Sequence, residues 1–147
     1  MYKGENGIDI LNKTLKEKFN PPSYDKKEII ISDTTYRVGD KVLQLVNDPD
    51  ENVYNGDIGY IVDIVPSKKS KSKRNELHIN FYGNIVIYTP AKYINITHGY
   101  AVSIHKSQGS EFDMVIIPIV SSFKRMLYNK LIYTGITRAK KTLILVG

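Results

Sequence analysis

Apolar residues recur near the start of the chain at helical spacing. In "GIDILNKTLKEKFNPP", Ile8, Leu11, Leu15 and Phe19 fall on one side of a predicted helix, with Lys13, Lys16 and Lys18 at the intervening positions. Asn20, Pro21 and Pro22 end that helix, because a residue before proline is pushed out of the α region and proline has no N–H for the ladder. A polar connector follows and carries a short apolar strand over Ile29 to Ile31.

From Tyr36 to Thr97 the period shortens to two. Five short strands are predicted, within "DKVLQLVND", "GYIVDIV", "ELHINFYG", "NIVIYTP" and "KYINIT". Leu77, Ile79 and Phe81 alternate with His78 and Asn80, as in a strand with one face in a core and the other in water. Gly83 and Asn84 predict a tight hairpin turn, and Asn55-Gly56 and Gly59 offer further positions where positive φ costs little. "VPSKKSKSKRNE" reads as a flexible cationic loop between strands. A small closed barrel, SH3-like in size, suits five such strands because closure removes exposed edges.

The period changes again from Gly99 to Gly147. "YAVSIHKSQ" has helix-compatible length and ends before Gly109, a residue suited to a left-handed helix end. "DMVIIPIV" is apolar on both faces, like a strand buried in a parallel sheet. "FKRMLYNKLIYTGITRAKK" predicts a long helix with Leu127, Leu131, Ile132 and Ile136 on its apolar side, and "TLILV" a second buried strand. Strand, helix and parallel strand form the crossover unit of an α/β domain. The expected organisation is therefore an α/β lobe interrupted by a barrel, with boundaries at residues 1–33, 34–97 and 98–147.

Composition narrows the function classes. The chain has 147 residues, is 41% hydrophobic, and carries a formal net charge of +6, which favours a polyanionic partner. It has no Cys, so disulfides and thiolate metal sites are excluded, and its three scattered His residues form no zinc motif. The N-terminal "MYKGENGIDILNK" lacks the apolar core of a signal peptide, and the run "MVIIPIV" is far short of the roughly 18 residues that span a bilayer. A soluble, cytoplasmic protein is expected.

Candidate chemistry concentrates in "SIHKSQGSEF", Ser103 to Phe112, where polar donors stand beside an apolar strand. In α/β domains the carboxyl ends of parallel strands commonly hold ligands, and the expectation places the run there. On residue chemistry alone the same run also reads as a solvated helix end, with Gly109 a cap and Glu111 a surface carboxylate. In "YTGITRAKK", Gly135 within a helix costs about 1 kcal/mol relative to Ala, which suggests close approach by a neighbouring group. Arg138, Lys140 and Lys141 near that helix end also suit simple interaction with its dipole.

"YAVSIHKSQGSEFDMVIIPI" and "LIYTGITRAKKTLILVG" resemble motifs V and VI of superfamily 1 DNA helicases, of the RecD-like type, the exodeoxyribonuclease V alpha-subunit group. "LNKTLKEKFNP", "YRVGDKVLQLVND" and "VYNGDIGYIVDIV" resemble the same group. The resemblance implies a partial RecA-like lobe of the P-loop NTPase type, interrupted by an SH3-like β-barrel, and roles in ATP-dependent translocation, DNA repair and recombination. It implies that Arg138 reaches the γ-phosphate across the cleft between two motor lobes, a role suited to a planar, fixed guanidinium. Gly109 and Glu111 then lie near the nucleotide, with Glu111 able to accept from ribose hydroxyls. Ser103, His105, Lys106, Ser107 and Gln108 match positions that touch the single-stranded DNA backbone or link it to the nucleotide. Implied partners are single-stranded DNA, the first motor lobe, and nuclease or repair subunits.

The sequence holds no GxxxxGK[ST] phosphate loop and no acidic Mg²⁺-binding motif following a strand. ATP and Mg²⁺ are therefore expected to need the first lobe of a longer protein, and this chain alone is expected neither to bind nor to hydrolyse ATP. A competing reading is a non-enzymatic nucleic-acid- or protein-binding module built on the barrel. Lys68 to Arg74 offer it phosphate contacts, or else form a solvated hairpin tip. Tyr54, Tyr60, Tyr82, Tyr88 and Tyr93 offer base stacking, or else fill the barrel core and cover its rim.

Overall fold

A computed structural model describes residues 8–102, 112–118 and 139–146. The chain divides into two compact units, Met1–Ala101 and Val102–Gly147.

Helix α1 spans Ile8–Phe19 in the first unit, as its periodicity predicts, but it does not pack through its apolar residues alone. Ile8, Leu11 and Leu15 are only half-buried and Phe19 is 69% exposed. The buried positions are Asn12, Lys16 and Asn20, four residues apart on one face. Polar groups on the rest of the unit meet this stripe, which explains how it is buried without stranding its donors.

Two strands follow the Pro21-Pro22 break: β1 (Glu28–Ile31) and β2 (Thr34–Arg37). They pair antiparallel from Glu28↔Arg37 to Ile31↔Thr34, turning through Ser32 and Asp33 at φ 46° and 66°. The hairpin straddles the boundary expected at 33/34. β2 was not expected, because "TTYR" is too short and polar to show a period.

Four of the five anticipated strands are present as β3 (Lys41–Gln44), β4 (Ile58–Val65), β5 (Glu76–Phe81) and β6 (Asn84–Tyr88), whereas in "KYINIT" Lys92 to Asn95 form a 3-10 turn and only the end enters a strand, β7 (Ile96–His98). They form one antiparallel sheet in the order β6-β5-β4-β3-β7. The expected closed barrel is not completed by hydrogen bonding. Among the described residues the ladder ends at β6 and β7, and the 3-10 turn Pro90–Asn95 links those two edge strands. The β4–β5 register shifts between Ile61 and Asp63, so Val62 is an extra residue on β4 and points outward.

The core lies on one face of this sheet. Val42, Ile61, Ile64, Leu77, Ile79, Phe81, Val86 and Tyr88 fill it together with Tyr36, Val53 and Ile96. Tyr88 donates its hydroxyl to Gln44 Oε1 at 2.5 Å, and Gln44 Nε2 donates to the Val46 carbonyl at 3.0 Å, so both buried polar groups are satisfied. Of the other candidate stacking tyrosines, Tyr54, Tyr60 and Tyr82 are exposed, and Tyr93 is partly buried with its hydroxyl donating to the Asn75 carbonyl.

Two turn expectations need correction. The β5–β6 turn is formed by Tyr82 and Gly83, at φ 53° and 95°, while Asn84 already pairs with Phe81. Asn84 instead donates its side-chain amide to the Glu51 carbonyl at 2.9 Å. Gly59 has no positive φ; it is glycine because a Cβ there would lie 2.8 Å from Ile79 Cγ2 and 2.9 Å from the Phe81 ring. The cationic loop is not a loose tip either. Ser70 donates to the Arg74 carbonyl at 2.6 Å, Ser72 to Glu76 Oε2 at 2.6 Å, and Asn75 accepts from the Ser67 N–H at 2.9 Å.

The second unit contains β8 (Phe112–Pro118) and β9 (Ala139–Val146), paired parallel from Phe112↔Ala139 to Pro118↔Val146. Lys140 and Lys141 therefore belong to a strand, not to the end of the predicted helix. The remainder of that helix, with Leu127, Leu131, Ile132, Gly135 and Ile136, lies outside the described residues.

Candidate functional site

The polar stripe of α1 converges on a single carboxylate. Asp40 is fully buried, in the tight connection between β2 and β3. It accepts from Asn20 Nδ2 at 2.8 Å, the Arg37 N–H at 2.8 Å, His98 Nε2 at 2.9 Å and the Tyr100 hydroxyl at 3.1 Å. Lys16 Nζ is 3.0 Å away and also donates to the Thr35 carbonyl. Burial by itself would raise the Asp40 pKa, but the bonds from His98, Asn20, Lys16 and the Arg37 N–H outweigh it and hold the carboxyl well below the usual carboxylate range.

The surrounding groups are fixed by the same charge. His98 stacks on Tyr36 with ring centroids 4.4 Å apart. Burial, reinforced by the Asp40 charge, pushes the Tyr36 and Tyr100 hydroxyls up to about 12. Arg37 is also buried; it donates to the Asn20 carbonyl at 2.6 Å and to Glu28 Oε1 at 3.2 Å. Its guanidinium thus caps a carbonyl at the C-terminal end of α1, where acceptors lack helical partners and positive charge is favoured.

This cluster grips the chain just before the polar run. Asn12 Nδ2 donates to the Ala101 carbonyl at 2.9 Å, and the Ala101 N–H donates back to Asn12 Oδ1 at 2.8 Å. Gly99 donates its N–H to the Lys41 carbonyl at 2.8 Å and lies so close to β3 that a Cβ would sit 2.9 Å from the Val42 carbonyl carbon. Helix, sheet and the residues from His98 to Ala101 are therefore tied together immediately upstream of Ser103.

The sequence-predicted site residues Ser103, His105, Lys106, Ser107, Gln108, Gly109, Glu111 and Arg138 all lie outside the described residues. Their flanks are described. Both runs lead into parallel strands, and Glu111 and Arg138 each stand one position before the paired residues Phe112 and Ala139. The expected placement of the polar run at the carboxyl ends of the parallel strands also falls outside the described residues. Asn12, Lys16, Asn20, Asp40, His98 and Tyr100 were missed as a site. The available signal was the i, i+4, i+8 spacing of Asn12 and Lys16 in α1 and Asn20 directly after it.

Residues 11–81 match the model of the ATP-dependent RecD-like DNA helicase SH3 domain, and residues 98–146 match that of the UvrD-like helicase C-terminal domain. The ATP-dependent RecD2 DNA helicase of Deinococcus radiodurans is 33% identical over 147 residues, covering 100% of this chain and 19% of the relative. The chain belongs to the RecD-like superfamily 1 helicases.

Other RecD-like relatives agree with that placement. The RecBCD enzyme subunit RecD of Buchnera aphidicola subsp. Acyrthosiphon pisum is 33% identical over 147 residues, covering 97% of this chain and 23% of that protein. The chain thus spans about a fifth of the length of these curated relatives. Among solved structures, the Pif1 helicase from Bacteroides in complex with ADP-AlF3 and ssDNA superposes with a TM-score of 0.62. That match has 19% identity and covers 98% of this chain and 39% of the Pif1 chain, so this RecD-like chain shares a helicase fold. Among the described residues no helix is long and apolar enough to cross a membrane.

Proposed function

We propose that this chain is the C-terminal part of an ATP-dependent DNA helicase motor and couples nucleotide hydrolysis to movement along single-stranded DNA. The residues from Phe112 onward and from Ala139 onward are the β-strands of a RecA-like second lobe, and the five-stranded sheet is its SH3-type insertion. Arg138 contacts the γ-phosphate, where a guanidinium stabilises charge developing during phosphoryl transfer. Gly109 and Glu111 face the nucleotide. Ser103, His105, Lys106, Ser107 and Gln108 contact the single strand through its phosphates, so its sequence is not read.

The parallel pairing of β8 with β9 carries this reading, because the two strands start directly after the two runs assigned to nucleotide and DNA. The family matches support it over the same residues. The phosphate loop would come from a first motor lobe, and Mg²⁺ would come with ATP. Nuclease or repair subunits are further partners on this reading.

The test is Arg138→Ala in the whole motor protein. DNA-stimulated ATP turnover should fall by about a thousandfold or more, with single-strand affinity within about twofold of the parent. Unchanged turnover would remove Arg138 from the reaction, and vigorous ATPase activity from the 147-residue chain alone would contradict a divided site.

A further inference from the structure

The β4–β5 loop carries the densest charge on the described surface. Lys68, Lys69, Lys71, Lys73 and Arg74 are all exposed, and among the described residues none of them forms an ion pair. The nearest acid in sequence, Glu76, forms no ion pair with them. It is buried, accepts from Ser72 and lies 2.9 Å from His78 Nε2; the bonds from Ser72 and His78 lower its pKa. Glu76 thus helps to shape the loop.

That shape is fixed by uncharged groups. The Lys69 and Ser70 N–H groups donate to the Pro66 carbonyl at 2.9 and 3.1 Å, and Ser70 Oγ crosses the loop to the Arg74 carbonyl. Lys73 holds a left-handed φ of 60°. At the base, the Tyr93 hydroxyl donates to the Asn75 carbonyl at 2.8 Å. Serine and asparagine hold the backbone, so every cationic side chain is left to project, and ordering on binding costs little beyond side-chain rotamers.

We propose that the β4–β5 loop is a preformed, sequence-independent contact site for the phosphate backbone of double-stranded nucleic acid. Closely spaced ammonium and guanidinium groups match a duplex, whose two strands present a charge about every 1.7 Å along the axis. From Pro66 to Asn75 the loop has no aromatic residue, so it lacks the stacking platform on which bases of a single strand are held. This goes beyond the single-strand contacts of the motor and rests only on the reading that the protein handles nucleic acid.

Fluorescence anisotropy on the whole motor protein tests it, with a labelled duplex and a single strand of equal length, titrated across salt. The variant replaces Lys68, Lys69, Lys71, Lys73 and Arg74 by Gln, all at exposed positions; Lys13→Gln with Lys18→Gln on α1 is the control. Duplex affinity of the loop variant should fall about tenfold or more at 0.1 M salt, and its log–log salt slope should become shallower by about 3, with a smaller change on the single strand and none in the control. An unchanged duplex affinity, an equal loss on both ligands, or loss of binding to phosphatidylserine vesicles with duplex binding intact overturns the proposal. Loss of duplex binding in a protein that shows no DNA-stimulated ATP turnover would sustain this site while sinking the motor reading, and the converse result separates them the other way.

Discussion

His98 Nε2 lies 2.9 Å from Asp40 Oδ2, joining residues 58 positions apart in the chain. Asp40 connects β2 to β3, while His98 ends β7 and begins the approach to Ser103. Their contact holds both ends of the first unit's sheet segment against α1.

Asp40→Asn should be severely destabilising. It keeps the side chain's shape but leaves the Lys16 ammonium buried without a counter-charge, a situation that costs about 3–5 kcal/mol. Urea denaturation should show the lowered midpoint, and Lys16→Met added to Asp40→Asn should recover part of it. A loss below about 1 kcal/mol would mean that water or a neighbour replaces the carboxylate.

Acid should expose the same group. Because the folded Asp40 pKa is depressed, its contribution is fully present above the unfolded value of about 3.9 and is lost as pH falls from there toward the folded pKa. Melting temperatures of the parent should therefore drop steeply below about pH 4. Asp40→Asn, measured in the same series, should show a shallower acid limb.

Asn12→Ala removes both bonds to Ala101 and leaves its N–H and carbonyl seeking water. A cost of about 1–3 kcal/mol is expected. Hydrogen exchange at the Ala101 amide should accelerate far more than at Ile79, deep in the sheet. Equal acceleration at both would indicate global loosening and not release of this clamp.

Glycine replacements should differ by what they strike. Gly59→Ala meets the Ile79 methyl and Phe81 ring, which can yield, so about 1–3 kcal/mol is expected. Gly99→Ala meets the backbone of Val42 and Leu43 and can be accommodated only by parting β3 from β7, so its melting temperature should fall further.

Period and alternation made much of this fold legible. α1 and four of the five strands of the sheet could be read because Leu77, Ile79 and Phe81 face one core and His78 and Asn80 do not. What escaped was long-range: nothing local in "TTYR" discloses a partner in "EIII", and nothing in Asp40 announces five donors drawn from three separate stretches. The packing of α1 through Asn12, Lys16 and Asn20 was concealed by the more familiar signal of Ile8, Leu11, Leu15 and Phe19. The motif residues were recognised by likeness, while the polar cluster around Asp40 required coordinates.

The polar face of α1 also has a mechanical consequence. A helix lying on oily side chains can creep along or roll with little resistance, since one methyl substitutes for another. α1 has addresses instead: Asn12 bonds Ala101, Lys16 bonds Asp40 and Thr35, and Asn20, directly after the helix, bonds Asp40, Val38 and Lys26. Sliding by one turn, about 5.4 Å, would break every one of these at once and strand a buried ammonium. The helix is therefore keyed to a single register against the sheet and Ala101.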